Sequence, residues 1–185
     1  MHRYHTLGTI PRKRHSVLEN ANGGIYYEEL KGNKGFTGPS SLLYHIQRPT
    51  KILHTEALKA VVLEEDPNPA LRMRHFLSYD LAAGGCPILA RTPTLFNNDV
   101  ILYSASPDTT DDFFYRNSDG DEVIYIAEGT GTLETAFGSL AYTPGDYLVI
   151  PRGIMHRYTL DDTTQKWFIV ESKGEVATPK VYRNT

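Results

Sequence analysis

Glu122 and His156, with Asn117 and Tyr115 beside them in sequence or pattern, are the side chains here whose types and spacing could do chemistry together. Two imidazoles and one carboxylate can hold Fe(II) and leave positions open for O₂ and a substrate. This chain offers one imidazole, His156, and one carboxylate, Glu122. Asn117 could add a weak amide oxygen and Tyr115 a phenol oxygen. Two readings stay open at this point. Glu122 and His156 are metal ligands in a degenerate site with Tyr115 and Asn117, or they hydrogen-bond each other in an interior, because buried polar groups need partners. The other histidines, His2, His5, His15, His45, His54 and His75, are scattered and read as structural. No Cys-x-x-Cys, Gly-rich phosphate loop or Gly-x-Ser-x-Gly elbow is present.

Strands and tight turns must position these groups. From Val100 onward, β-rich runs recur about every ten residues, the rhythm of a sandwich or barrel. Glu122 to Glu128 reads as a strand turned by Gly129-Thr-Gly131, and Leu133, Thr135 and Phe137 alternate along the next. Thr143-Pro-Gly-Asp146 is a tight turn in which Gly145 is free to take positive φ. Tyr147 to Ile150 is a buried strand stopped by Pro151. His156 to Leu160 and Gln165 to Ser172 form a last hairpin across Asp161-Asp-Thr-Thr164. Upstream, residues 51–64 and 72–81 read as strands separated by Asp66-Pro-Asn-Pro69, which blocks helix and central strand alike. Residues 1–50 are broken by Asn20-Ala-Asn-Gly-Gly24, Lys31-Gly-Asn-Lys-Gly35 and Thr37-Gly-Pro-Ser-Ser41, which are turn chemistry. The expected organisation is an irregular N-terminal arm (1–50), a β-barrel (51–175) and a linker or extended tail (176–185).

At 185 residues, 40% hydrophobic and 22% charged, the chain has room for one large all-β domain or one domain with extensions. Its net charge of −3 argues against a general nucleic-acid partner, and the basic run Arg12-Lys-Arg-His15 is short. No apolar run reaches the roughly 20 residues of a membrane span, and the first residues lack the apolar centre of a secretory signal. The single Cys86 cannot form an internal disulfide, which fits a reducing compartment and the cytoplasm.

Two spacings carry a resemblance. Tyr115-Arg-Asn-Ser-Asp-Gly-Asp-Glu122 is followed by six residues and Gly129, and Gly145 by five residues, Pro151-Arg-Gly153, two residues and His156. These resemble the two motifs of the cupin superfamily, with Tyr115 and Asn117 where both first-motif histidines stand. More specifically, four stretches look like one cupin family. They are Ile10-Pro-Arg-Lys-Arg-His15, Tyr27-Glu-Glu-Leu30, Gly35-Phe-Thr-Gly-Pro-Ser-Ser-Leu-Leu-Tyr-His45 and the closing Pro179-Lys-Val-Tyr182. Together with the Tyr115 to Glu122 stretch, they resemble bacterial and archaeal homogentisate 1,2-dioxygenase-like bicupin proteins over essentially the whole chain.

The resemblance implies an all-β, cupin-type jelly-roll barrel with an irregular N-terminal arm. It implies the N-terminal half of an enzyme whose iron triad lies in a second barrel, so no catalytic residue is carried over. In the full-length enzyme Fe(II) would bind homogentisate, an aromatic acid of tyrosine and phenylalanine breakdown, and activate O₂. The ring would open to maleylacetoacetate. The resemblance also implies a homo-oligomer, with Phe36 to Tyr44 as the loop nearest a subunit contact. Two rivals remain: a non-catalytic cupin assembly or binding module, and a free-standing metal cupin using Glu122 and His156.

Overall fold

A computed structural model describes residues 18–68, 70, 72–80 and 84–182. The basic run, Ile10 to His15, His2, His5 and the end of the tail lie outside them. The chain divides into two compact units, Met1–Leu58 and Lys59–Thr185.

In the first unit, β1 (Tyr27–Gly32) and β2 (Ser40–His45) pair antiparallel, with Tyr27 opposite His45 and Gly32 opposite Ser40. The arm is therefore less irregular than its glycines and prolines suggest. Most of the turn-forming residues fall between the strands or before them, while Lys31, Gly32, Ser40 and Ser41 lie within them. Asn20 Oδ1 accepts the backbone N–H groups of Asn22 at 2.9 Å and Gly24 at 3.3 Å, a local turn that aims the chain into β1. Phe36, at the hairpin tip, is 99% exposed.

The second unit carries two antiparallel sheets. The larger contains β3 (Thr92–Phe96), β4 (Val100–Ala105), β5 (Asp121–Glu128), β8 (Tyr147–Ile150) and β10 (Lys166–Ser172) in the order β3-β4-β10-β5-β8. The smaller is β7 (Gly138–Tyr142), β6 (Gly131–Thr135) and β9 (His156–Leu160) in the order β7-β6-β9. This is an all-β double sheet, as the cupin-type resemblance implies, although the two sheets do not close into one continuous hydrogen-bonded barrel. No α-helix occurs among the described residues, and none is long and apolar enough to cross a membrane.

Residues 51–64 and 72–80 form no strand, contrary to the expectation from their apolar content. A strand needs a neighbour for its backbone groups, and among the described residues no strand pairs with this stretch. Asp66 Oδ1 instead accepts the Asn68 N–H at 2.8 Å, fixing a turn, and Asp66 pairs with Arg74 at 2.7 Å. A short 3₁₀ turn, Ser78–Asp80, ends the described part of the segment.

The core sits between the sheets. Period-2 alternation sends Ile124 and Ile126 of β5, Trp167 and Ile169 of β10, Leu133 of β6 and Tyr158 of β9 inward, all nearly fully buried. Burying each such side chain is worth about 1.5–3 kcal/mol. Gly131 marks the closest approach: a Cβ there would overlap the Thr159 carbonyl oxygen and the Tyr142 hydroxyl. The first of these is backbone and cannot swing away. Gly131→Ala is therefore expected to lose about 1–3 kcal/mol, read by urea denaturation. A loss within a few tenths would show that the sheet relaxes freely there.

Candidate functional site

Two loops bring the motif residues to one end of this core. Asn117 opens the loop before β5. Its Oδ1 accepts the backbone N–H groups of Asp119 at 2.9 Å and Gly120 at 3.0 Å, while its Nδ2 donates to Glu122 Oε1 at 2.9 Å. Its backbone carbonyl accepts the Gly153 N–H at 2.6 Å, so the first motif's loop is stitched to the second motif's turn. Asp121 reinforces this by accepting the Arg152 N–H at 2.9 Å. Gly153 holds a φ of 77°, the left-handed region that suits glycine in this turn. Tyr115 and His156 exchange backbone N–H···O bonds of 2.8 Å, which places Tyr115 at the start of β9.

Glu122 is fully buried at the second position of β5, and its partner is not His156. Arg91, one residue before β3, donates from Nη1 to Oε1 at 2.8 Å and from Nη2 to Oε2 at 2.9 Å. Arg91 Nε also donates to the Pro87 carbonyl at 3.3 Å, and the guanidinium lies 5.5 Å from the centre of the Tyr115 ring. Burial by itself would raise the Glu122 carboxyl. The Arg91 charge and hydrogen bonds, together with Asn117, outweigh that and hold it below the ordinary carboxylate range. The same pairing keeps Arg91 charged despite burial.

His156, also fully buried, donates from Nδ1 to the Ile154 carbonyl at 2.9 Å. A carbonyl only accepts, so the proton is on Nδ1 and Nε2 carries the lone pair. Nε2 has no hydrogen-bond partner. The imidazole stands nearly perpendicular to the rings of Tyr115 and Tyr158, each 5.5 Å away. Burial depresses its pKa below the ordinary 6.5, against the opposing pull of the Ile154 carbonyl and the Glu122 charge. Burial and the Glu122 charge push the Tyr115 phenol up to about 12, so it stays protonated at neutral pH.

Glu171 completes the cluster. It stands directly opposite Glu122 across the β5–β10 pair and accepts from the Tyr103 hydroxyl at 3.3 Å. Burial and the facing Glu122 charge raise its carboxyl above the ordinary range.

The motif spacing does gather Tyr115, Asn117, Glu122 and His156 in one place, but not as a ligand set. The Asn117 amide oxygen is used by its own loop, both Glu122 oxygens face a guanidinium, and the Tyr115 phenol keeps its proton. One imidazole lone pair remains. Among the described residues no group of three or more His, Cys, Asp or Glu side chains is arranged to hold a metal ion. The residues present do not fit a transition metal. Nor do Glu122 and His156 bond each other, because Arg91 satisfies the carboxylate.

Arg91 and Glu171 were not anticipated from the sequence. Glu171 had a signal: it falls on the inward parity of β10, in step with Trp167 and Ile169, where an acid is unexpected. Arg91 had none, since it lies outside both motifs on an irregular approach to β3.

These groups give the fold a pH dependence. His156 has a folded pKa below 6.5, so its contribution to stability is complete above pH 6.5 and is lost as pH falls through the folded value. Glu122 acts in the same direction lower down: its contribution is present above the ordinary 4.5 and lost as pH falls through its depressed value. Glu171 has a raised value and opposes both, its contribution shrinking as pH rises above 4.5. A melting temperature that falls as pH drops below 6.5, with a shallower fall in His156→Gln, is the expected outcome. An unchanged slope in that variant would mean His156 is not buried neutral.

The sequence pattern of one family, described as Homogentisate 1,2-dioxygenase N-terminal, matches residues 82–180. The chain belongs to this family. Among curated relatives of the homogentisate 1,2-dioxygenase N-terminal family, a Saccharolobus solfataricus protein provisionally named a dioxygenase is 35% identical over 98% of this chain and 47% of its own length. The homogentisate 1,2-dioxygenase of Emericella nidulans is 36% identical over 85% of this chain and 39% of its own. That of Dictyostelium discoideum is 31% identical over 85% and 40%. The chain thus spans less than half the length of the curated relatives it matches. A solved cupin-2 domain protein from Shewanella frigidimarina covers 44% of this chain at 22% identity, with a TM-score of 0.40.

Proposed function

We propose that these 185 residues are the N-terminal cupin portion of an Fe(II)-dependent dioxygenase that opens the ring of homogentisate or a closely related aromatic acid. The observation that carries this is the family match over residues 82–180, supported by relatives named homogentisate 1,2-dioxygenase that align over 85% of the chain. The site described above has no ligand set for iron, so the reading assigns the iron to a second barrel beyond these residues. This portion would then supply a rigid scaffold and a contact surface, in the cytoplasm, without nucleic-acid or membrane partners. The free-standing metal cupin built on Glu122 and His156 loses its support, because Arg91 occupies the carboxylate.

The test is to express the chain alone and joined to any second barrel its gene encodes, and to supply homogentisate, Fe(II) and O₂. The joined polypeptide is expected to consume O₂ and yield a product of substrate mass plus O₂, and the chain alone to do neither. Ring cleavage by the chain alone, or its absence from an iron-loaded joined polypeptide, would overturn the reading.

Assembly into a homo-oligomer belongs to the same proposal. Leu30, Phe36 and Ile46 of the first unit are more than half exposed, an apolar surface suited to a partner chain. Deleting residues 1–46 is expected to lower the mass measured by light scattering. An unchanged mass and melting temperature would make the arm a mere tether.

A further inference from the structure

Glu122 and Glu171 face each other across β5 and β10, one fully and one half buried. Like charges directly opposite on neighbouring strands repel, and burial removes the water that would screen them. A cation must stand nearby, and Arg91 supplies it. Its planar fork matches one carboxylate bidentately, which a point charge on a lysine could not do. The Pro87 carbonyl and the Tyr115 ring fix the guanidinium from other sides. Arg91 comes from the approach to β3, Glu122 from β5 and Glu171 from β10, so a cation carried by a loop serves two neighbouring strands of the larger sheet.

A metal ion bound by the first-motif carboxylate would need the same oxygens. It would also have to sit against a permanent positive charge in a buried setting. In this chain that position is filled from within, by the guanidinium.

We propose that Arg91 is the resident cation of this barrel: its guanidinium takes the place of a metal between the strands and closes the position to divalent ions. Arg91 is a positioning residue. It holds the β5 carboxylate, and through Asn117 the loop joining both motifs, in a fixed geometry that needs no cofactor. The inference stands on the geometry of this chain and not on the dioxygenase reading, so either can fail without the other.

The test is thermal unfolding of the 185-residue chain with and without Zn(II), Mn(II) or Fe(II), and after chelation. Wild-type protein is expected to melt at the same temperature in all of them. Arg91→Met is expected to melt lower by about 10 °C or more. Arg91→Lys, which keeps the charge and loses the fork, should fall between. The double variant Arg91→Met/Glu122→Met, which removes both charges, should recover part of the loss, so that the two single effects do not add. If Arg91→Met does not fold, the lysine variant and the metal titration of wild type still decide. A wild-type melting temperature raised by a divalent ion and lowered by chelation would overturn the proposal. So would an Arg91→Lys or Arg91→Met protein that melts with wild type, or a double variant whose loss equals the sum of the two.

Discussion

A Glu122→Gln protein is expected to lose about 3–5 kcal/mol of stability at neutral pH, the cost of removing one partner from a buried ion pair. Glutamine preserves the size of the side chain and one acceptor oxygen, so packing changes little. What changes is charge: the Arg91 side chain is only 7% exposed and, among the described residues, has no other carboxylate bonded to it. Asn117 Nδ2 now donates to Glu122 Oε1 and would have to find the single remaining oxygen. Urea denaturation followed by circular dichroism measures the effect. A loss below about 1 kcal/mol would place the pair with exposed salt bridges and remove the electrostatic account of this end of the barrel.

Trp167→Ala is the other large effect expected, about 3–5 kcal/mol. Trp167 is fully buried on β10, with ring centres 4.9 Å from Tyr158 and 5.7 Å from Tyr142. Its indole N–H donates to Gln165 Oε1 at 3.0 Å, and Gln165 Nε2 in turn donates to the Thr130 carbonyl at 2.9 Å, tying β10 to the turn before β6. Alanine would open a cavity between the sheets and orphan the Gln165 oxygen. Against a typical total of about 5–15 kcal/mol, much of the fold's stability would go. Trp167→Phe keeps a ring and loses only the hydrogen bond, so a loss nearer 1 kcal/mol is expected. Equal losses in both variants would show that the hydrogen bond, and not packing, dominates there.

The strands that carry the motifs were legible because turn chemistry and alternation agree. Gly129 and Gly145 take positive φ where tight turns were expected, and Glu122 to Glu128 alternates as a half-buried strand should. The stretch around Val61-Val-Leu63 misled, because apolar and β-branched content signals a strand only if another strand is there to pair with it. Asp66 and the residues after it turn the chain instead. The arm misled in the opposite direction. Its glycines and prolines pointed to irregular chain, yet Gly35, Gly38 and Pro39 merely join two six-residue strands that pair in full register. At the site, the loss of imidazoles at Tyr115 and Asn117 was plain in the spacing. The Arg91 partner of Glu122 was not. Arg91 reaches Glu122 across 31 positions of sequence, and no local pattern marks an arginine that will be buried. Glu171 could have been found by following the inward parity of β10 from Trp167.

The claim at the centre of this account is that the barrel is completed by its own arginine, with iron chemistry belonging elsewhere. Elemental analysis of the purified chain after incubation with Fe(II) or Zn(II) and removal of excess ion tests it most directly. The account predicts far less than one metal per chain, the same in wild type and in His156→Ala. About one metal per chain in wild type, lost in His156→Ala, would contradict it.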